Sequence, residues 1–167
     1  MKQILTIILS AFMLSATAQE QKKLLSPKAS TENKDIKITY GQPSKRGRVI
    51  FGGLVPYDSV WRTGANEATE ITFKRDGSFG GKKIKAGTYT LFTIPSGKEW
   101  EVILNKQLGQ WGAYEYEKYR RKNVLRTTVP VYELPDELEK FTITVKKDTV
   151  TFEWDRTGIA VPYKLIK

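Results

Sequence analysis

Four segments of this chain alternate apolar and polar residues strictly, and a period of two marks a β-strand with one buried face. Ile36, Ile38 and Tyr40 alternate with Lys37 and Thr39; Phe141, Ile143 and Val145 alternate with Thr142, Thr144 and Lys146. Val150, Phe152 and Trp154 alternate with Thr151 and Glu153, and Ile159, Val161, Tyr163 and Leu165 follow. The second and third segments flank Lys146-Lys147-Asp148-Thr149, a polar connection short enough for an antiparallel hairpin. Residues 88–94 and 100–104, rich in β-branched and apolar side chains around Pro95-Ser96-Gly97-Lys98, predict a second hairpin nearer the centre of the sheet. Asp76-Gly77, Gly80-Gly81 and Ala86-Gly87 punctuate the stretch before it. Only residues 113–121 read as helix. The pattern predicts an all-β fold: an antiparallel β-sandwich, jelly-roll or immunoglobulin-like, with at most one short helix.

The first residues carry a different signal. Lys2 supplies a positive start, residues 4–14 an apolar stretch, and Ala16-Thr17-Ala18 a small-residue site, the three parts of a cleavable signal peptide. The apolar stretch is shorter than the roughly 20 residues a spanning helix needs. Residues 1–18 are therefore expected to be removed, with the mature chain beginning at Gln19 in the periplasm or outside the cell. Residues 19–33 read as a loose polar lead-in and 34–167 as a single domain. With no cysteine in 167 residues, neither a lipid-anchored lipoprotein nor a disulfide-stapled fold is expected.

The formal net charge of +10 would point to nucleic acid in a cytoplasmic chain. Export redirects it toward anionic or carbohydrate material of the envelope. The basic residues are mostly interspersed with acidic ones, the exception being the run from Lys118 to Lys122. Absence of both histidine and cysteine excludes Ser-His-Asp and Cys-His nucleophiles and any imidazole- or thiolate-ligated metal. No spaced Asp/Asn calcium loop and no phosphate-cradling Gly-Lys-Ser/Thr motif is present, so no metal and no cofactor is expected.

The unusual stretch is residues 48–69, which gather Gly, Arg, Trp, Asn and Glu. Trp61-Arg62 and Glu67-Ala68 flank Thr63-Gly64-Ala65-Asn66, which reads as a four-residue hairpin loop closed by Arg62 opposite Glu67. By parity Glu67 shares a face with Thr69, Ile71 and Phe73; if those face the core, Arg62 and Glu67 point inward too. Three readings stand. The pair could be a scaffold, completed by Arg48 or Asn66. The stretch could form a pocket in which Arg48, Trp61, Arg62, Asn66 and Glu67 bind a ligand carboxylate or phosphate. Or Glu67 could be the general acid or base of a hydrolase or isomerase acting on envelope carbohydrate, which requires a second carboxylate. A second candidate is aromatic: Trp111, Tyr114, Tyr116 and Tyr119 beside Arg120, Arg121 and Lys122 suit an acidic sugar, or simply pack.

Several of these runs resemble a known family. Gly47-Arg48, Ile50-Phe51-Gly52, Leu54-Val55-Pro56-Tyr57, the run from Val60 to Thr69, Ala86-Gly87-Thr88-Tyr89, Trp111-Gly112 and Val124-Leu125-Arg126 resemble the domain of unknown function 2911, found in exported bacterial proteins. The resemblance implies an exported β domain and gives weight to residues 60–69. It names no substrate.

Overall fold

A computed structural model of the protein describes residues 26–166; the signal-peptide reading of residues 1–18 lies outside them. Nine strands of the described residues form one antiparallel sheet: β1 (Lys28–Glu32), β2 (Ile36–Gly41), β3 (Thr69–Phe73), β4 (Gly77–Phe79), β5 (Lys82–Ile84), β6 (Gly87–Pro95), β7 (Glu99–Asn105), β8 (Asn123–Val145) and β9 (Thr149–Leu165). Their order is β1-β2-β3-β6-β7-β8-β9-β4-β5. Among the described residues a single helical stretch, α1 (Tyr116–Tyr119), runs into a tight turn of Arg120–Lys122.

Both predicted hairpins form. Lys146 N donates to Thr149 O where Val145 faces Val150 across β8 and β9. Ser96 N donates to Glu99 O at the turn between β6 and β7, which are central in the sheet. The last two alternating segments belong to one strand, β9. The lead-in reading fails at residues 28–32: β1 pairs along its length with β2, Lys28 opposite Gly41 and Glu32 opposite Lys37.

Two bent strands turn this sheet into a sandwich. The register of β8 against β9 shifts between Glu133 and Leu138 and again before Thr142, while Asp155 on β9 takes a left-handed φ of 55°. The Lys45 amine spans the bend, 2.8 Å from Asp155 and 3.0 Å from Glu137. Beyond the bend β8 returns over the first strands: Phe141 N donates to Pro43 O, Ile143 N to the Tyr40 hydroxyl and Val145 N to Thr31 Oγ1. At the other seam the Thr127 hydroxyl donates to Gly80 O.

The enclosed core is aromatic at one end, where Trp61 stacks on Trp154 at 6.1 Å and 16° and meets Trp100 and Phe141 edge-on. Ile36, Ile38, Ile71, Phe73, Phe79 and Leu91 fill the other end. A smaller cluster lies on the outer face of β6 and β7, where Tyr116 of α1 covers Phe92 and Ile103. Strand β6 is therefore buried on both faces, as its apolar composition requires.

Candidate functional site

Between β2 and β3 the chain runs through residues 42–68 with no strand, making only isolated bridges. Left-handed φ values recur along it: Arg46 (51°), Gly47 (69°), Gly52 (83°), Asp58 (56°), Thr63 (56°) and Asn66 (63°). Each breaks the two-residue repeat, so the predicted hairpin does not form. Trp61 instead exchanges both backbone hydrogen bonds with Thr93 of β6, and Ala65 N donates to Gly41 O at the end of β2.

The parity argument fails for the same reason. Thr69, Ile71 and Phe73 are buried, yet Glu67 is exposed, because β3 begins only at Thr69 and the chain bends from Thr63 to Asn66 just before Glu67. No ion pair joins Glu67 to Arg62. Glu67 bridges by its backbone to Trp111.

Arg62 is aimed by its neighbours. Trp61 and Thr63 both point into the protein; Thr63 is sealed from solvent, its hydroxyl 3.0 Å from that of Thr93 and its carbonyl accepting from Thr69 Oγ1 at 2.7 Å. A β-branched residue is disfavoured at φ 56° and is held there by these bonds. Arg62, between two inward side chains, is left to project the other way.

It projects into an open groove of about 990 Å³. The walls come from Pro43, Ser44, Arg46 and Arg48, from Leu54-Val55-Pro56 and Ser59-Val60-Trp61-Arg62, from the turn Gly64-Ala65-Asn66, and from Trp111, Gly112 and Tyr114. The groove thus unites much of both sequence candidates. Arg46, Arg48 and Arg62 line it, and among the described residues no Asp or Glu does. Glu67 lies outside, so the groove lacks the carboxylate pair that glycoside hydrolysis uses.

The arginines differ in commitment. Arg48 curls back, its Nε donating to Lys45 O at 2.9 Å and its Nη2 to Ser44 O at 2.7 Å, closing its own turn. Arg46 is exposed, and only its backbone N–H is engaged, by Glu139. Arg62 Nε is shut off from water and has no hydrogen-bond partner among the described residues. Burial pushes its guanidinium below the ordinary arginine range, with Tyr114 acting in the opposite direction.

Asn66 braces the site: its amide donates to Ser26 O at 2.9 Å and its carbonyl accepts from Gly112 N at 2.9 Å. Trp61 is a core residue, only 7% exposed, with its indole N–H on Gly64 O. Of the aromatic candidates, Trp111 and Tyr114 reach the groove and are 53% and 82% exposed. Tyr116 packs on Phe92 with ring centroids 5.1 Å apart, its hydroxyl accepting from Asn123. Lys118 and Lys122 flank the Tyr119 ring at 4.9 and 5.0 Å, while Glu115 and Glu117 pair with Lys118 and Arg120. That basic run is largely engaged by its own neighbours. Arg46 was not among the sequence candidates; the run Lys45-Arg46-Gly47-Arg48, two arginines about a turn glycine, was the available sign of it.

A family model described as a protein of unknown function (DUF2911) matches residues 22–163. The chain belongs to this family. No curated protein and no solved structure matches it. The DUF2911 match takes in every residue that lines the groove, from Ser26 to Trp154. No helix among the described residues is long and apolar enough to cross a membrane.

Proposed function

We propose that this DUF2911 protein is an exported, noncatalytic binding domain that takes anionic ligands of the cell envelope or secreted space in the arginine groove. The observation that carries the reading is Arg62: a partly buried guanidinium whose Nε has no partner among the described residues, in a groove that those residues line with two further arginines and no carboxylate. A cation withdrawn from water without a counterion is unfavourable. An arriving carboxylate or phosphate supplies charge-assisted hydrogen bonds that relieve it. Arginine's planar fork suits such anions better than a point-like ammonium does. The pattern of residues 1–18 supports export, and N-terminal sequencing of the secreted protein is expected to begin at Gln19.

The test is calorimetric titration of the full mature chain with inorganic polyphosphate and with oligogalacturonate, beside neutral dextran. Binding is expected for the two anions only, weakening as salt rises and falling about ten-fold or more in Arg62→Met. Equal affinity of the parent protein and the variant for both anions would sink the reading.

A further inference from the structure

The groove holds more than a place for charge, and we infer that its occupant is an acidic saccharide whose acid group meets Arg62 while a sugar ring lies against Tyr114 and Trp111. This rests on the anion-binding reading above and narrows it.

Size is the first argument. A groove of about 990 Å³ is at the upper end of the roughly 300–1,000 Å³ typical of sites for sizeable organic ligands, far larger than an inorganic anion needs.

The aromatic wall is the second. Tyr114 and Trp111 are among the most exposed large side chains of the described residues, and both lie on the groove. Their position is built into the backbone. Gly112 sits at φ 66°, which residues with a side chain rarely adopt, and the Tyr114 ring folds over it, Cε2 lying 2.6 Å from where a Cβ would fall. Gly112 N is bound to Asn66 O, and the Trp111 backbone bridges to Glu67. The aromatic segment is thereby stapled to the turn that follows Arg62, which fixes ring and cation relative to each other.

The chemistry between ring and cation also suits a sugar. Aromatic faces receive the C–H faces of a sugar ring, and hydroxyls need polar partners. Ser26, Ser44, Ser59 and Asn66 line the same groove. An anionic bilayer surface fits less well, because the unpartnered Arg62 Nε is recessed from solvent and a flat surface does not reach into a groove. Single-stranded nucleic acid also stacks on aromatic rings, but nothing in the export pattern brings it to this protein.

The experiment measures the affinity of the full mature chain for oligogalacturonate, dextran sulfate, inorganic polyphosphate, neutral dextran, a single-stranded oligonucleotide and phosphatidylglycerol vesicles, in the parent protein and in Tyr114→Ala, Gly112→Ala and Arg62→Met. The expected result is that at least one acidic saccharide binds more tightly than polyphosphate. Tyr114→Ala and Gly112→Ala weaken that saccharide about five- to ten-fold and polyphosphate distinctly less, Tyr114→Phe restores it, and Arg62→Met weakens saccharide and polyphosphate alike. Polyphosphate binding as tightly as both saccharides, with Tyr114→Ala silent on all, overturns the saccharide assignment and leaves the anion site standing. Tighter binding of the oligonucleotide or the vesicles overturns it in favour of that class. If Arg62→Met changes nothing, the anion site itself falls. A melting curve on each variant separates lost binding from lost fold.

Discussion

Trp61 lies among Trp100, Phe141 and Trp154, and Thr63 is sealed against Thr93; the chain between them leaves Arg62 only the outward direction. Neighbouring substitutions should therefore have opposite consequences. Trp61→Ala opens a cavity in the aromatic core and is expected to lower the unfolding free energy by about 3–5 kcal/mol, read by urea denaturation. Arg62→Met removes a partly buried cation that no carboxylate of the described residues neutralises. Its melting temperature is expected to stay the same or rise while anion binding falls; a drop of several degrees would mean that Arg62 is scaffold. The sequence marks Arg62 as special through its company of Gly, Trp and Asn, but the partner it implies, Glu67, is wrong. Counting by twos requires an unbroken strand, and Thr63 and Asn66 at positive φ interrupt it. A glycine or asparagine advertises that conformation. Threonine does not.

At the level of elements, legibility follows where the stabilisation comes from. Strands that bury one face or both write it into their composition, which is why β2, the β6–β7 hairpin and the turn between β8 and β9 can be read directly. Strand β1 has the sequence Lys-Ala-Ser-Thr-Glu and no alternating apolar set. Backbone pairing with β2 and the Thr31 hydroxyl on Val145 N hold it in place, and neither leaves a hydrophobic trace. The groove-bearing loop is anchored equally quietly, through a glycine. A Cβ on Gly41 would lie 2.0 Å from the Ala65 carbonyl oxygen, and Gly41 O accepts the Ala65 N–H at 3.1 Å, so the end of β2 and the Arg62 turn fit only without a side chain. Gly41→Ala is expected to destabilise by about 2–3 kcal/mol and to weaken anion binding in the fraction that still folds. Chemical denaturation paired with titration below the transition checks both. An unchanged midpoint would show that the loop moves freely away from β2.

Over the whole molecule the sandwich depends on the bend in β8 and β9, where two groups hold their protons more tightly than they would in an unfolded chain. Hydrogen bonds to Asp155 and then Glu137 raise the Lys45 amine above its ordinary 10.5. Burial first, and the 2.6 Å hydrogen bond to Glu153 second, push the Tyr132 hydroxyl well above its ordinary 10.0. Tyr132 also covers Gly158, its opposite residue on β9, closely enough that a Cβ there would fall 2.6 Å from the ring. Between the unfolded and folded titration points the native state binds more protons than the unfolded one, so stability falls as pH rises. The contribution of both groups is complete below about pH 10 and is lost progressively above it, as the pH climbs through the folded values. The urea midpoint is thus expected to be level from about pH 7 to 9, apart from other groups, and to decline steeply above about pH 10. Tyr132→Phe should flatten that decline while losing the Glu153 hydrogen bond at every pH, giving a lower but less sloped curve. Lys45→Met should lower the neutral plateau, because it leaves Asp155 and Glu137 facing each other across the bend without a cation. Parallel alkaline limbs in the parent protein and Tyr132→Phe would place the loss elsewhere. Loss of the bend should also carry Pro43 and Lys45 away from β8, since their backbones bond to Phe141 and Glu139. Pro43 lines the groove and Lys45 adjoins Arg46, so anion binding measured in the same series should fail alongside the midpoint.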